Sequence, residues 1–178
     1  IKLKMKYCYE KEVGIPYGRN RALKEAKGEI LAFIDDDCEA TPRWVEKVLN
    51  AHKKYPKAAA IQGLSISTPK GKLFSVIAQF NRQTWMRDNM HGNRNSYWEL
   101  VYGKNEKGID ILACEPYNFS VKIARIRQHH VQFDEDFAQQ LLSEDERIIF
   151  YPKAMVYHNE RQTIPQFLRE SFLKGREL

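Results

Sequence analysis

The chain has 178 residues, of which 43% are hydrophobic and 29% charged, and its formal net charge is +6. This composition is typical of a globular domain with a sizeable core, and it excludes disordered and collagen-like proteins. The positive charge favours anionic partners such as phosphates, nucleic acid and acidic lipid, but it does not choose among them.

The three cysteines, Cys8, Cys38 and Cys114, do not form a close pair. Their spacing therefore predicts neither a disulfide framework nor a thiolate metal site, and it favours a reducing, cytoplasmic compartment. No apolar run reaches the roughly 18 residues that a membrane span needs. The length predicts a single domain over residues 1–178. Because the sequence does not begin with Met, we also expect this domain to be truncated at its amino terminus.

The first elements follow one another closely along the chain. Residues 1–10 alternate as a strand does, and the helix formers after Gly14 predict a helix that closes on Gly28. Residues 30–34 are a continuous apolar run, which is typical of a parallel strand covered on both faces. Three consecutive aspartates, at residues 35–37, stand at the carboxyl end of this strand.

Further elements alternate between helix and strand. Thr41 and Pro42 predict the cap and first turn of a helix that ends near Lys54. Residues 58–67 predict a strand, and residues 72–86 repeat apolar side chains at helical spacing. This alternation indicates a layered α/β sheet.

The second half of the chain is less regular. Residues 89–107 predict a loop that contains a short strand at residues 96–102. Two more strands are expected at residues 109–115 and 117–124, and another ends near His158. A last helix is expected to begin at Thr163 and Pro165.

The aspartate block calls for an explanation, because adjacent carboxylates repel one another. Ligands of open α/β sheets gather at the carboxyl ends of strands, and clustered carboxylates there suit Mg²⁺ or Mn²⁺ bound to a phosphate. An Asp-rich turn is also common for purely structural reasons, since Asp tolerates tight turns and caps helices. The neighbouring sequence has to decide between these interpretations.

The stretch GIPYGRNRALKEAKGEILAFIDDDCEATPRW resembles the nucleotide-binding half of family-two glycosyltransferases, which are inverting enzymes of the GT-A fold. In that family an Arg-Asn pair opens a helix, an apolar strand follows, and a DxD motif is trailed by Pro and Trp. The segments YNFSVK, FDEDF and RIIFYPKAMVYH resemble the acceptor-side half. The resemblance implies a three-layer α/β sandwich around a mixed, mostly parallel sheet, with a nucleotide-binding half at residues 1–88 and an acceptor-side half at residues 89–178.

The resemblance also implies roles for individual residues, with Mn²⁺ or Mg²⁺ as the cofactor. Each of these residues also has a structural interpretation. Arg19 and Asn20 would then lie in an exposed helical turn, and His158 would be a hydrogen-bonded core histidine. The implied nucleotide-side residues are Arg19, Asn20, Asp35 and Asp36, and the implied metal ligands are Asp35, Asp37 and His158.

The general base is harder to place by resemblance, because two Glu-Asp pairs compete and neither has the family's spacing. Glu135 and Asp136 are the candidates that we favour, while Asp145 belongs to the second pair. The spacing suggests that a loop carrying the true pair is absent between Phe137 and Ala138.

The predicted function is inverting transfer of a sugar from a nucleoside diphosphate to a hydroxyl of a glycan, lipid-linked or protein acceptor, with Trp85 either stacking on the acceptor or packing in the core. A metal-dependent nucleotidyltransferase and a basic polyanion-binding or nucleic-acid-binding module are the alternatives, although no nucleic-acid-binding motif is evident. The basic amphipathic C-terminal helix predicts either contact with the inner face of a membrane or an ordinary solvated surface.

Overall fold

The computed structural model describes residues 5–68, 72–91, 96–104, 106–115, 117–159 and 165. The helix expected after Thr163 lies outside these residues, apart from Pro165. In chain order the elements are α1 (Ile15–Glu25), β1 (Ile30–Ile34), β2 (Cys38–Ala40), α2 (Trp44–Lys54), β3 (Ala58–Ser67), α3 (Lys72–Asp88), α4 (Ser96–Tyr102), β4 (Ile109–Asp110), β5 (Asn118–Lys122), α5 (Ile123–Gln128), α6 (Phe137–Ser143) and β6 (Arg147–His158).

The strands form one mixed sheet in the order β1-β5-β3-β6-β2, with β4 also paired to β6. The mixed sheet is confirmed, but the expectation of mostly parallel pairing is wrong. Among the described strands only β3 and β6 pair in parallel, and the other four pairings are antiparallel. Two of the four arise because β5, from the second half of the chain, inserts in the opposite direction between β1 and β3, and the other two join β2 and β4 to β6.

Helices cover both faces of the sheet, as a three-layer sandwich requires. Successive side chains of β6 point to opposite faces, because a strand has a period of two residues. Ile148 and Phe150 join the larger core cluster, which also receives side chains from α3, α4, α5 and α6. Ile149 and Tyr151 join a smaller cluster beneath α2.

The prediction of a β1 strand covered on both faces is wrong. β1 lies at an edge of the described sheet, and both Ala32 and Ile34 are exposed. Its apolar run therefore does not indicate burial on two sides. The strand expected over residues 1–10 is also absent from residues 5–10, which are irregular.

Helix α2 ends at Lys54 as expected but begins two residues later than the sequence suggests. The Thr41 hydroxyl donates to the Met155 carbonyl at 2.7 Å, so it is used to tie the loop to β6 instead of capping the helix. Arg43 then takes a left-handed conformation with φ 67° immediately before the helix. Val48 is buried, while the other face of the helix is exposed.

The segment 96–102 forms helix α4 instead of the predicted short strand. Tyr97 is fully buried and stacks on Phe150, while Trp98 and Tyr102 stack on each other at i, i+4 spacing. This aromatic spacing matches a helix better than a strand. The strand expected over residues 109–115 is reduced to Ile109–Asp110.

A buried asparagine joins the central strands to α2. The Asn118 amide nitrogen donates to the carbonyls of Leu64, at 3.1 Å, and Ala154, at 2.8 Å, and its oxygen accepts from the Trp44 indole at 3.0 Å. A Cβ at Gly63 would lie 2.2 Å from the Ala154 carbonyl oxygen, so a larger residue does not fit. These contacts fix β3, β5 and β6 relative to one another, and the ends of β5 and β6 lie beside the acidic turn.

Candidate active site

The three aspartates form the turn between β1 and β2. The Cys38 amide donates to the Asp35 carbonyl at 3.1 Å, and the Asn159 amide donates to the Asp37 carbonyl at 2.8 Å. The side chains keep partial access to solvent, with 29% of Asp35 and 49% of Asp37 exposed. The turn is therefore anchored through its backbone while its carboxylates remain able to bind a ligand.

Asp37 lies beside a thiol and an imidazole. Cys38 is paired with His158 across the antiparallel β2–β6 ladder, a register that places both side chains on the same face. His158 Nε2 lies 3.4 Å from Asp37 Oδ1, and Cys38 Sγ donates to the same oxygen at 3.8 Å. One ligand atom from each of the three residues lies within 4.8 Å of the others.

The Tyr117 ring packs edge-on against the buried imidazole of His158, with 4.7 Å between the ring centroids. The chemistry of this donor set fits a divalent transition cation, because it offers carboxylate, imidazole and sulfur ligands. Burial, with smaller contributions from Asp37 and Asp35, raises the pKa of Cys38 to about 12. The thiol is therefore protonated at neutral pH unless a cation displaces the proton.

Asp35 faces a different partner, Arg19 on α1. The guanidinium lies 3.7 Å from Asp35 Oδ1 and stands over the rings of Phe119, at 5.3 Å, and Phe33, at 5.8 Å. Burial raises the pKa of Asp35 and lowers that of Arg19, and the attraction between the two opposes both shifts. A cation beside Asp35 would favour the ionised carboxylate further.

Three adjoining depressions form a cleft that leads away from the acidic turn. The first, of about 390 Å³, is lined by Arg19, Asp35 and Asp36. The second, of about 440 Å³, also contains Arg19 and extends to Trp85 and Glu135. The third, of about 370 Å³, shares Trp85 with the second. The cleft thus joins the acidic turn to the segment that precedes α6.

The sequence did not single out a buried ion pair in this cleft. Arg82 and Glu115 lie 3.9 Å apart, with 9% and 8% of their side chains exposed, and the Arg82 guanidinium stands 5.1 Å over the ring of Tyr117. The Glu115 amide donates to Gln62 Oε1 at 2.7 Å, which fixes this segment against β3. Only the spacing of Arg82 one helical turn before Trp85 could have indicated that both face the cleft.

Asn20 is placed differently from the role implied by the resemblance. Its side-chain oxygen accepts the Phe133 amide at 2.9 Å, and it does not line any of the three depressions. The reason is its position on α1, one residue beyond Arg19 and therefore turned about 100° around the helix axis. Asn20 holds the segment that leads into the second acidic turn.

This second acidic turn, at residues 134–136, precedes α6. Asp134 Oδ1 accepts the Asp136 amide at 3.0 Å and the Gln140 side-chain amide at 2.7 Å. Asp134 and Glu135 line the cleft, whereas Asp136 is exposed outside its lining. Of the two candidate bases, Glu135 is therefore the one that faces the cleft.

The competing Glu-Asp pair lies at the far end of α6, where Glu144 contacts His129 Nδ1 at 2.8 Å and Asp145 has a left-handed φ of 58°. Neither residue lines the cleft. Helix α6 runs from Phe137 to Ser143 and includes the junction of Phe137 and Ala138, at which the sequence suggests an absent loop.

Comparison with known proteins identifies the class. A family model described as "Glycosyl transferase family 2" matches residues 2–109, which is more than half of the chain. This family has the GT-A fold, so the α/β class is confirmed. More particularly, the chain belongs to glycosyl transferase family 2. This assignment argues against the nucleotidyltransferase and polyanion-binding alternatives.

A curated relative agrees with this assignment. The chain is 33% identical over 57 residues to a glucosyl-dolichyl phosphate glucuronosyltransferase of Haloferax volcanii. The match covers 32% of this chain and 18% of the relative. None of the helices in the described part of the chain combines the length and the hydropathy that a membrane span requires.

Proposed function

We propose that the chain catalyses inverting transfer of a sugar from a nucleoside diphosphate donor to an acceptor hydroxyl, with a divalent cation at the acidic turn. One observation carries this proposal: Asp37, Cys38 and His158 converge within 4.8 Å beside the cleft that Arg19 and Asp35 line. An oxygen, nitrogen and sulfur donor set next to a guanidinium suits a cation and a diphosphate bound together.

The donor side is assigned to the first depression. Arg19 offers a planar cation that is already stacked on Phe33 and Phe119, so little side-chain entropy remains to be lost when it binds a phosphate or a base. A cation held by Asp37 and His158 would act as a Lewis acid that stabilises the negative charge of the departing nucleoside diphosphate. Mn²⁺ and Mg²⁺ are the ions implied by the family resemblance.

The acceptor side is assigned to the second depression. Glu135 would take the proton of the attacking hydroxyl, because its exposed carboxylate faces this space. Trp85 offers an aromatic surface on which a sugar ring can pack. Attack from the side opposite to the departing diphosphate inverts the anomeric centre in a single displacement.

A lipid-linked acceptor is the class that we favour. The glucuronosyltransferase relative is named for a glucosyl-dolichyl phosphate, a sugar carried on a lipid phosphate. The formal charge of +6 would also favour such an anionic acceptor.

Calorimetry with UDP and GDP, in the presence and absence of Mn²⁺, tests the proposal. We expect the cation to tighten binding of at least one of the two nucleotides, since the metal bridges protein carboxylates and diphosphate. Release of nucleoside diphosphate from a nucleotide sugar, in place of pyrophosphate, is the second expected result. Equal affinities with and without any divalent cation would overturn the proposal.

A further inference from the structure

Cys38 occupies a position that the spacing of the cysteines does not reveal. The wide separation of the three cysteines argues against a thiolate metal site, yet the fold supplies the other donors from elsewhere in the chain. Asp37 precedes the thiol directly, and His158 is brought opposite it, 120 residues later, by the β2–β6 ladder. The thiol, carboxylate and imidazole thus meet at the end of one strand pair.

The surroundings of Cys38 distinguish it from a packing residue. Cys114, which lines the second depression of the cleft, packs against the larger hydrophobic cluster, as free cysteines commonly do. Cys38 belongs to neither of the two described clusters, and its sulfur contacts the Asp37 carboxylate at 3.8 Å instead. Its described contact is therefore with a charged group and not with either hydrophobic cluster.

We propose that Cys38 is the third protein ligand of the cation, so that the site selects a thiophilic divalent ion such as Zn²⁺ or Co²⁺ over Mg²⁺. This inference rests on the proposed function for the location of the metal, and it adds the ligand that sets ion preference. Sulfur prefers softer cations, whereas Mg²⁺ prefers oxygen ligands. On binding, the sulfur–hydrogen bond is replaced by a sulfur–metal bond and the proton passes to solvent.

Co²⁺ titration of the full chain tests the inference by spectroscopy, without reference to activity. Wild type should develop the near-ultraviolet charge-transfer band of a cobalt–thiolate bond. Cys38→Ser should lose that band and bind Co²⁺ at least about 10- to 100-fold more weakly. This is the loss of metal affinity that is typical when a residue that supports a metal ligand is mutated. Mg²⁺ affinity should change little in this variant, so the preference for Co²⁺ over Mg²⁺ narrows.

Cys114→Ser is the matched control and should keep the band, because this thiol lines the cleft but, among the described residues, belongs to no group of side chains that could hold a metal ion. Circular dichroism shows whether Cys38→Ser folds. If it does not, the wild-type protein gives the same information, because bound Zn²⁺ should protect the Cys38 thiol from an alkylating reagent. Co²⁺ binding without a charge-transfer band, or alkylation of Cys38 at the same rate with and without Zn²⁺, would overturn the inference.

The two proposals fail in different ways. If a cation strengthens nucleotide binding but no cobalt–thiolate band forms, the proposed function stands and the role of Cys38 is wrong. If the band forms but no cation affects nucleotide binding, the metal site exists and the proposed function is wrong.

Discussion

Two acidic turns of similar composition line different depressions of the cleft, and their surroundings differ. Residues 35–37 are Asp-Asp-Asp and residues 134–136 are Asp-Glu-Asp. The first turn is held by groups from distant elements, including Arg19 from α1 and His158 from β6. The side-chain bonds within the second turn are local, since Asp134 bonds to residues two and six positions further along.

This difference indicates what each turn can do. Contacts with distant elements hold several donor atoms near a common point, which a cation needs before it can bind tightly. Local contacts satisfy hydrogen-bonding groups at the start of α6. They leave the carboxylate of Glu135 directed to the cleft. The same residue types therefore suit a metal site in one place and a proton acceptor in the other.

Asp37→Asn should have the largest effect on activity, because it removes a charged metal ligand while it preserves side-chain shape. We expect glycosyl transfer to fall on the order of 1,000-fold, which corresponds to about 4 kcal/mol of lost transition-state stabilisation. The cation-dependent gain in nucleotide affinity, measured by calorimetry, should disappear as well. Asp136→Asn is the matched control in the second turn, and a loss of cation dependence in that variant would remove the distinction between the turns.

Glu135→Gln should lower kcat about 100-fold, the range typical of a missing general base. Nucleotide affinity and its cation dependence should be unchanged, because this residue lies on the acceptor side of the cleft. Steady-state kinetics and calorimetry on the same preparation separate the two effects. If Asp136→Asn lowers kcat and Glu135→Gln does not, the orientation of the second turn does not predict its chemistry.

Local patterns sufficed to predict most elements. The bounds of β1 and β3 and the end of β6 match the predictions from apolar runs, and α1 and α2 match helix formers and helical spacing. Strand direction and the edge position of β1 were not predicted, since they depend on pairing between distant segments, which local periodicity does not contain.

The candidate site also contains some residues that the sequence marks and others that it does not. The aspartates and His158 stand out in the sequence because motif spacing marks them. Cys38, Arg82 and Glu115 do not, because each is placed by a partner far away in the chain. Asn20 differs in the other direction. The motif marks it as a site residue, but its side chain accepts a hydrogen bond from the Phe133 amide.

The pH range for comparing the two turns is set by a buried histidine, His52, which should make the fold less stable in acid. Its Nε2 lies 2.9 Å from the Ser120 hydroxyl, and burial, helped by the Lys122 charge, lowers its pKa from 6.5 to about 4. The folded pKa is lower than the unfolded one, so the unfolded chain binds the proton more readily between these values. Stability is therefore highest above about pH 6.5 and is lost as the pH falls towards 4.

Urea unfolding measures this effect. The free energy of unfolding should be about 2 kcal/mol lower near pH 5 than near pH 7.5 from His52 alone. His52→Gln keeps a polar group near Ser120 without a titrating ring, and its stability should depend less on pH over this range. An equal pH dependence in wild type and variant would mean that other groups dominate. Binding by the two turns is best compared above about pH 6.5.

The smallest expected effects concern stability, and they have opposite signs in the two turns. Asp134→Ala removes the acceptor that holds the Asp136 amide and the Gln140 side chain, so it should lower the free energy of unfolding by about 0.5–1 kcal/mol.

Asp35→Asn should raise the free energy of unfolding in the absence of a cation, because burial raises the pKa of Asp35 and the folded state therefore disfavours its charge. Urea unfolding near pH 7.5 without divalent ions measures both changes, with Asp134→Asn as the control that keeps an acceptor. A loss of stability in Asp35→Asn would mean that the attraction to Arg19 outweighs the cost of burial, and the first turn would then stabilise the fold as the second does.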